Sequence, residues 1–363
     1  MQTRVLDHDD MARMVHLVGR DGLMQRMISA LGEALRALGA GLLQDSPPRS
    51  GFQRGGALRG VIETMPHREP GGGVTIKTVS YSPDNVARHR LPTIMGTIAR
   101  VEDKTGRLLA LADAGLLTAL RTGAASAIAT RLLAHPDAHV VGIVGAGAQA
   151  VTQLHGITQV LDVREVLVHD INLGTAADFA RRVAFLNLDV KMAEPREVLA
   201  RAEVICTATS VKPGEGPVLP DGVHQPHLHV NSVGADETGK TELPVPLLRR
   251  ALVCVDHREQ ALKEGECQQL SEHEVGPSLA ELCAHPSRAL KHRGRLTVFD
   301  STGFAFEDHV AFDVLMGLAD ELGVGTKLAL EGQPEDLLDP YSIAAFRRTS
   351  GDGPRSADAS SSV

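Results

Sequence analysis

Gly145-Ala146-Gly147-Ala148-Gln149-Ala150 follows directly on the apolar run 139–144 and opens an apolar segment of helical character. A β-branched run, a glycine turn and a helix in that order bind the pyrophosphate of a dinucleotide. The first glycine permits the tight turn, the second lets the main chain approach an anion, and the small Ala150 lets helix and strand pack closely. The helix N-terminus then offers N–H groups that have no partner within the helix. The next strand-like run, Glu165–His169, leads into Asp170. An acid about 20 residues beyond the glycines bonds a ribose 2′-hydroxyl and disfavours a 2′-phosphate, so NAD is expected rather than NADP. A glycine-rich turn in an unrelated α/β protein would leave Asp170 unexplained.

Several charged residues sit where a bland explanation is strained. Lys77 lies in the middle of the apolar run 74–79, either on the solvent face of an edge strand or in a site. Glu63, in Gly60-Val61-Ile62-Glu63-Thr64-Met65-Pro66, has the same ambiguity. Arg121-Thr122-Gly123 falls within an Ala-rich helix, where a guanidinium needs an anionic partner or must snorkel to the surface. Asn231-Ser232-Val233-Gly234-Ala235-Asp236 ends a strand, and ligands of open α/β sheets bind outside the carboxyl ends of strands. Asp236 is therefore expected at the crevice, with a helix N-cap as its alternative. Thr207-Ala208-Thr209 and Asp300-Ser301-Thr302-Gly303 end strands in the same way. Arg49, Lys77 and Arg121 could clamp a small carboxylate, and Asp236 and Glu63 could handle an amine. A nicotinamide between them can take a hydride from a carbon bearing both groups. His224, His227 and His229 resemble a ligand set, but they enter a strand ending in Asn231 and no HExxH or partner cysteine supports them. No metal is expected.

These residues need two kinds of scaffold. Residues 21–40 have helical spacing at Leu23, Met24, Met27, Ile28, Leu31, Leu35 and Leu38, with Asp21 as a cap. Residues 43–60 form a Pro/Gly/Arg-rich loop. Strand-like runs follow at 60–65, 73–81, 93–102 and 107–112 with no helix between them, the last two joined by Asp103-Lys104-Thr105-Gly106. An antiparallel sheet is expected there. A helix spans 117–133. From 139 onward strands alternate with helices, the strands at 139–144, 165–169, 188–192, 204–208, 227–232, 252–255 and 296–299, as in a doubly wound parallel sheet. The amphipathic helix 307–322 should pack back on the first unit. The expected fold class is α/β, an NAD-binding Rossmann domain plus an α+β substrate domain with an antiparallel sheet. The boundaries are 1–130 (completed by 307–348) and 131–306, with a polar, disordered tail at 349–363.

Composition agrees. The chain has 363 residues, 43% of them hydrophobic, and a formal net charge of −8 with no basic block. Nucleic acid and anionic membranes are poor partners for it. It has neither an apolar stretch of membrane-spanning length nor a signal-peptide core within residues 1–10, so a cytoplasmic location is expected. Cys206, Cys254, Cys267 and Cys283 lack metal-type spacing and read as reduced thiols.

Eight motifs make a family resemblance specific. They are the Gly60–Pro66 segment quoted above, Ile76-Lys77, Ala119-Leu120-Arg121-Thr122, the glycine turn, the Asn231–Asp236 segment, Gly239-Lys240-Thr241-Glu242-Leu243, Glu264-Gly265-Glu266 and Val298-Phe299-Asp300-Ser301-Thr302-Gly303. In this order along residues 1–345 they resemble the ornithine cyclodeaminase/μ-crystallin family. The resemblance implies a homodimer formed through the sheet of the first domain. It implies substrate-carboxylate contacts from Arg49, Lys77 and Arg121, with Thr302 beside them; Arg49 lies in a variable loop with Arg54 nearby. It implies a general acid/base at Asp236 and a second functional acid at Glu63. NAD contacts would come from Thr93, Thr122, Gly145, Gly147, Ala148, Gln149, Asp170, Thr209, Asn231, Ser232, Val233, Lys240 and Ser301.

The family includes cyclodeaminases, imine reductases, opine-type dehydrogenases and a thyroid-hormone-binding crystallin. Val18-Gly19-Arg20-Asp21, Met65-Pro66-His67-Arg68-Glu69-Pro70 and Thr78-Val79-Ser80-Tyr81-Ser82-Pro83 look most like its lysine-specific branch, known from bacterial antibiotic biosynthesis. The implied activity converts L-lysine to L-pipecolate and ammonia, with NAD taking and returning one hydride. L-ornithine to L-proline, NADH-dependent imine reduction and non-catalytic binding are the alternatives. Val61, Met65 and Met95 are expected to wall the substrate pocket.

Overall fold

The computed structural model describes residues 2–55, 58–332 and 334–342. The tail at 349–363, and residues 343–348 of the expected return segment, lie outside the described residues.

Period-two alternation along residues 61–81 places one set of side chains inward and the other outward. It forms β3 (Val61–Glu69) and β4 (Gly73–Tyr81), paired antiparallel with Glu63 opposite Val79 and Met65 opposite Lys77. Their sheet also holds β1 (Thr3–Leu6), β2 (Ser50–Gln53), β5 (Ile94–Val101), β6 (Leu108–Asp113) and β14 (Thr326–Leu328), in the order β14-β1-β6-β5-β4-β3-β2. The four expected strands pair antiparallel, while the additional β1 runs parallel to β6. One expectation needs correction here. The 43–60 segment contains β2, whose four residues are all exposed and therefore lack the burial alternation that marks a strand.

The second sheet is parallel throughout. Its strands are β7 (Val140–Val144), β8 (Glu165–His169), β9 (Asp189–Met192), β10 (Val204–Thr207), β11 (His229–Ser232), β12 (Leu252–Val255) and β13 (Thr297–Asp300), in the order β12-β13-β11-β10-β7-β8-β9. The chain moves outward from β7 to β9, then returns to β10 on the other side of β7. The carboxyl ends of β7 and β10 therefore flank the topological switch point, where such sheets bind ligands.

Six helices matter to the site: α1 (His8–Val18), α2 (Arg20–Gly39), α3 (Gly115–Leu133), α4 (Ala148–Thr158), α5 (Arg258–Glu264) and α6 (Ala305–Leu322). α1 was not foreseen; Asp7 and Asp10 form its capping box. Leu23, Met24, Met27, Ile28, Leu31 and Leu35 of α2 are buried as their spacing required, each worth roughly 1.5–3 kcal/mol of transfer free energy. Asp21 does not cap α2; Gly19 holds the N-cap position, and the Asp21 carboxylate meets His155 Nε2 on α4 at 2.8 Å. α3 is buried along most of its length, lying between α2 and α4 and touching β11 and β13. α6 packs on α2, α3, β3 and β4, so residues near its start face the inner side of the first sheet. No helix among the described residues is long and apolar enough to cross a membrane.

Candidate active site

The glycine turn sits at the switch point. Gly145 has φ +89°, and a Cβ there would lie 2.7 Å from the Ala208 carbonyl oxygen, so only glycine fits. Gly147 is the N-cap of α4 without a side-chain cap, and a Cβ on it would meet nothing within 4 Å. Ala148 and Gln149 form the first turn, the Gln149 amide reaching Thr152 Oγ1 at 3.2 Å. Asp170 pins the turn: its carboxylate accepts from the Ala146 and Asn172 amides, each at 2.8 Å. An uncapped helix N-terminus with open space before it fits the pyrophosphate of a dinucleotide.

Beneath this crevice lie acids that were quoted within motifs but given no role. Glu242 accepts from Thr207 Oγ1 at 2.6 Å, from Thr209 N and Oγ1 at 2.7 Å each, and from Gly234 N at 2.8 Å. It thereby ties the loops after β10 and β11 together. Ser232 Oγ lies 3.2 Å from Glu242 and 2.9 Å from Glu266, which also accepts the Glu242 amide at 2.7 Å. Burial, with Asp300 and Glu242 nearby, raises the Glu266 carboxyl well above the usual range. Val233 N donates to Thr207 O and Ser301 N to Ser232 O, so the ends of β10, β11 and β13 form one continuous floor. The Asn231 side chain is turned away from it, donating to Thr130 Oγ1 on α3 at 3.0 Å. These acids were legible only as motif letters, because their partners are main-chain amides and hydroxyls that only the packed strand ends bring to them.

The charged residues converge beside this floor. Asp236 is not an N-cap; its Oδ1 accepts from the buried Lys240 Nζ at 2.8 Å, and that ammonium lies 4.7 Å from the Tyr81 ring centroid. Arg49 donates to Asp236 O at 2.6 Å and Thr302 O at 2.9 Å. Its Nε also stands 2.8 Å from Glu264 and 3.5 Å from Glu63, ion pairs that miss hydrogen-bond geometry. Burial raises the pKa of both acids, against the opposing pull of Arg49. Thr302 Oγ1 donates to Asp256, and Ser301 Oγ lies 3.3 Å from the same carboxylate. Thr93 stands just before β5, its carbonyl accepting from Ser82, and Thr122 bonds back to Thr118 within α3.

Lys77 occupies the middle of a central strand and is 1% exposed, so it is not on an edge. Its ammonium meets Asp308 at 2.6 Å. Arg121 meets Asp308 at 3.0 Å and Glu307 at 2.9 Å, and does not snorkel. Burial pulls the Lys77 ammonium down to about 8, Asp308 opposing the shift. Burial pushes the Glu307 carboxyl up to about 8, opposed by Arg121. Gly303, at φ +75°, passes so close to the guanidinium that a Cβ would lie 2.9 Å from Arg121 Cζ. Val61 and Met65 point inward as expected, but Met95 does not. It lies on the outer face of the sheet, opposite Ser80, and is 43% exposed.

The profile of the ornithine cyclodeaminase/mu-crystallin family matches residues 8–320. The chain belongs to this family. An L-lysine cyclodeaminase from Streptomyces rapamycinicus is 55% identical over 94% of this chain and 100% of its own length. An ornithine cyclodeaminase from Agrobacterium tumefaciens is 30% identical over 92% of each chain. A solved lysine cyclodeaminase structure, described as recognising L-lysine, L-ornithine and L-2,4-diaminobutyric acid, superposes with a TM-score of 0.93 at 54% identity, covering 94% of this chain and 100% of that one. An archaeal alanine dehydrogenase dimer with bound NAD superposes with a TM-score of 0.81 at 29% identity, covering 91% of this chain and 100% of that one.

In this member of the family, a crevice that fits a dinucleotide opens beside four buried cations, Arg49, Lys77, Arg121 and Lys240, and several carboxylates. Among the described residues, no group of His, Cys, Asp and Glu is arranged to hold a metal ion. His229 instead bonds Thr297 Oγ1 and Asn231 within the second sheet.

Proposed function

We propose that this family member is an NAD-dependent L-lysine cyclodeaminase that forms L-pipecolate and releases ammonia. One observation carries it: Arg49, Lys77 and Arg121 gather with Asp236 and Glu63 beside the open glycine turn. Identity of 55% to a lysine cyclodeaminase over nearly the whole chain supports the choice of substrate. When bound, NAD supplies a hydride acceptor at the substrate α-carbon and the same hydride for the ring product.

The chain's own residues then do four things. Lys77 and Arg121 hold the α-carboxylate with the N–H donors that Asp308 and Glu307 leave free, and Arg49 approaches through the Thr302–Gly303 turn. Asp236, its side chain 27% exposed and fixed by Lys240, takes a proton from the terminal ammonium so that a neutral amine can attack the α-carbon. The same carboxyl returns a proton to the departing ammonia. Glu63, made a weaker acid by burial, exchanges protons with the amine from the opposite side. Ring closure is intramolecular, so holding the chain folded supplies most of the gain. Main-chain N–H groups at Gly147, Ala148 and Gln149 receive the pyrophosphate, and Asp170 the ribose that favours NAD over NADP.

L-Ornithine turnover to L-proline is a slower second activity of the same site. The two substrates differ by one methylene, worth about 1–3 kcal/mol in a fitted pocket, and the similar solved structure recognises both. The working form is a homodimer, as in the superposable alanine dehydrogenase, and four free thiols suit a reducing cytoplasm. Side-by-side kinetics at saturating NAD⁺ test the substrate. A higher kcat/KM for L-lysine is expected; an equal or higher value for L-ornithine reverses the order while leaving the residue roles in place.

A further inference from the structure

Asp308, in the first turn of α6, is fully buried. It meets two cations through one oxygen. Oδ1 lies 2.6 Å from Lys77 Nζ on β4 and 3.0 Å from Arg121 Nε on α3, while Oδ2 is buried with no hydrogen-bond partner. Without a shared anion the two cations would repel each other in a region closed to water. Lys77 spends one of its three ammonium donors here, and Arg121 spends Nε on Asp308 and one Nη1 donor on Glu307.

We propose that Asp308 is a positioning residue for the substrate carboxylate: with one oxygen it holds the Lys77 ammonium and the Arg121 guanidinium side by side, leaving their other donors to the anion. This rests on Lys77 and Arg121 being the carboxylate receptor. The charged groups around Lys77 make Asp308 decisive. Burial favours loss of the Lys77 proton, Arg121 and Arg49 push the same way, and Asp308 opposes them. Glu63 faces the ammonium from β3, and Glu307 acts on it only across Arg121. Removing the Asp308 charge should therefore neutralise Lys77 at a lower pH and free it from Arg121.

Calorimetric titration of the full chain with hexanoate, at saturating NAD⁺, reads the receptor without a substrate amine. The hexanoate carboxyl stays ionised above about pH 6, so any alkaline loss of affinity belongs to the protein. The wild type should lose affinity with a midpoint at about 8. Asp308→Asn should move that midpoint down by at least about one unit, an opposite charge at this range being worth about 1–3. At the acid end, where Lys77 is charged in both proteins, Asp308→Asn should still bind hexanoate several-fold more weakly than wild type, because the two cations are no longer held side by side. Asp308→Glu keeps the charge, so it should keep the midpoint but bind hexanoate several-fold more weakly throughout.

A lower melting temperature with the Asp308→Asn midpoint unmoved would overturn the proposal. If that variant does not fold, Asp308→Glu decides: several-fold weaker binding supports the role, and unchanged affinity at every pH overturns it. Lys77→Met separates the two layers. Unchanged hexanoate affinity in it removes the receptor itself. Lost affinity in it, with Asp308→Asn behaving as wild type, removes only Asp308.

Discussion

Asp236 reaches the crevice because Asn231–Asp236 follows the end of a central parallel strand, and it stays there because Lys240 and Arg49 hold its side chain and its carbonyl. Asp236→Asn keeps the shape and removes the proton acceptor. Turnover should fall by about 10²–10⁴-fold, the usual contribution of a general acid/base, with the dissociation constant for NAD unchanged. A variant that keeps more than about a tenth of the rate would take Asp236 out of that role. Asp236 was legible because position at a strand end is a sequence property. Lys77 was only half legible, since alternation does not tell a central strand from an edge strand. Its partner Asp308 was not legible at all. The two are 231 residues apart, and only the packing of α6 on β4 joins them.

Among elements, the parallel sheet was the most legible, because most of its strands are short apolar runs and helices separate most of them. β1, β2 and β14 were missed, being three or four residues long, and β2 and β14 are exposed throughout. The turn between β7 and α4 depends on one backbone conformation. Gly145→Ala forces a side chain into positive φ against Ala208, so a cost of roughly 1–3 kcal/mol in stability and a clear loss of NAD affinity are expected. Normal melting and NAD titration curves would contradict this. β11 carries a pH-dependent element in His229, which burial lowers from 6.5 to about 4. Between those values the unfolded chain takes up the proton and the folded chain does not, so this group's contribution to stability falls as pH drops through the window. Denaturant melts at pH 7 and 5 should therefore show a smaller acid loss in His229→Gln than in wild type, by roughly 2 kcal/mol. Equal losses would mean that His229 is accommodated as a cation.

At the scale of the molecule, the proposed reaction draws on both sheets. In it the parallel sheet supplies the dinucleotide turn and Asp236, and the mixed sheet with α3 and α6 supplies Lys77 and Arg121 as the proposed carboxylate receptor. A cyclodeaminase differs from a dehydrogenase or an imine reductase in one respect that kinetics on a single substrate do not isolate: the cofactor ends as it began. The decisive measurement is therefore a stoichiometry. The protein is incubated with L-lysine and NAD⁺ at a small fraction of the lysine concentration, and L-pipecolate, ammonia and absorbance of reduced cofactor are followed together. One ammonia and one L-pipecolate per lysine consumed, continuing far beyond the amount of NAD⁺ and without net NADH, is the expected result. Turnover that stops at the amount of cofactor supplied, with NADH accumulating one for one, would contradict the cyclodeaminase assignment.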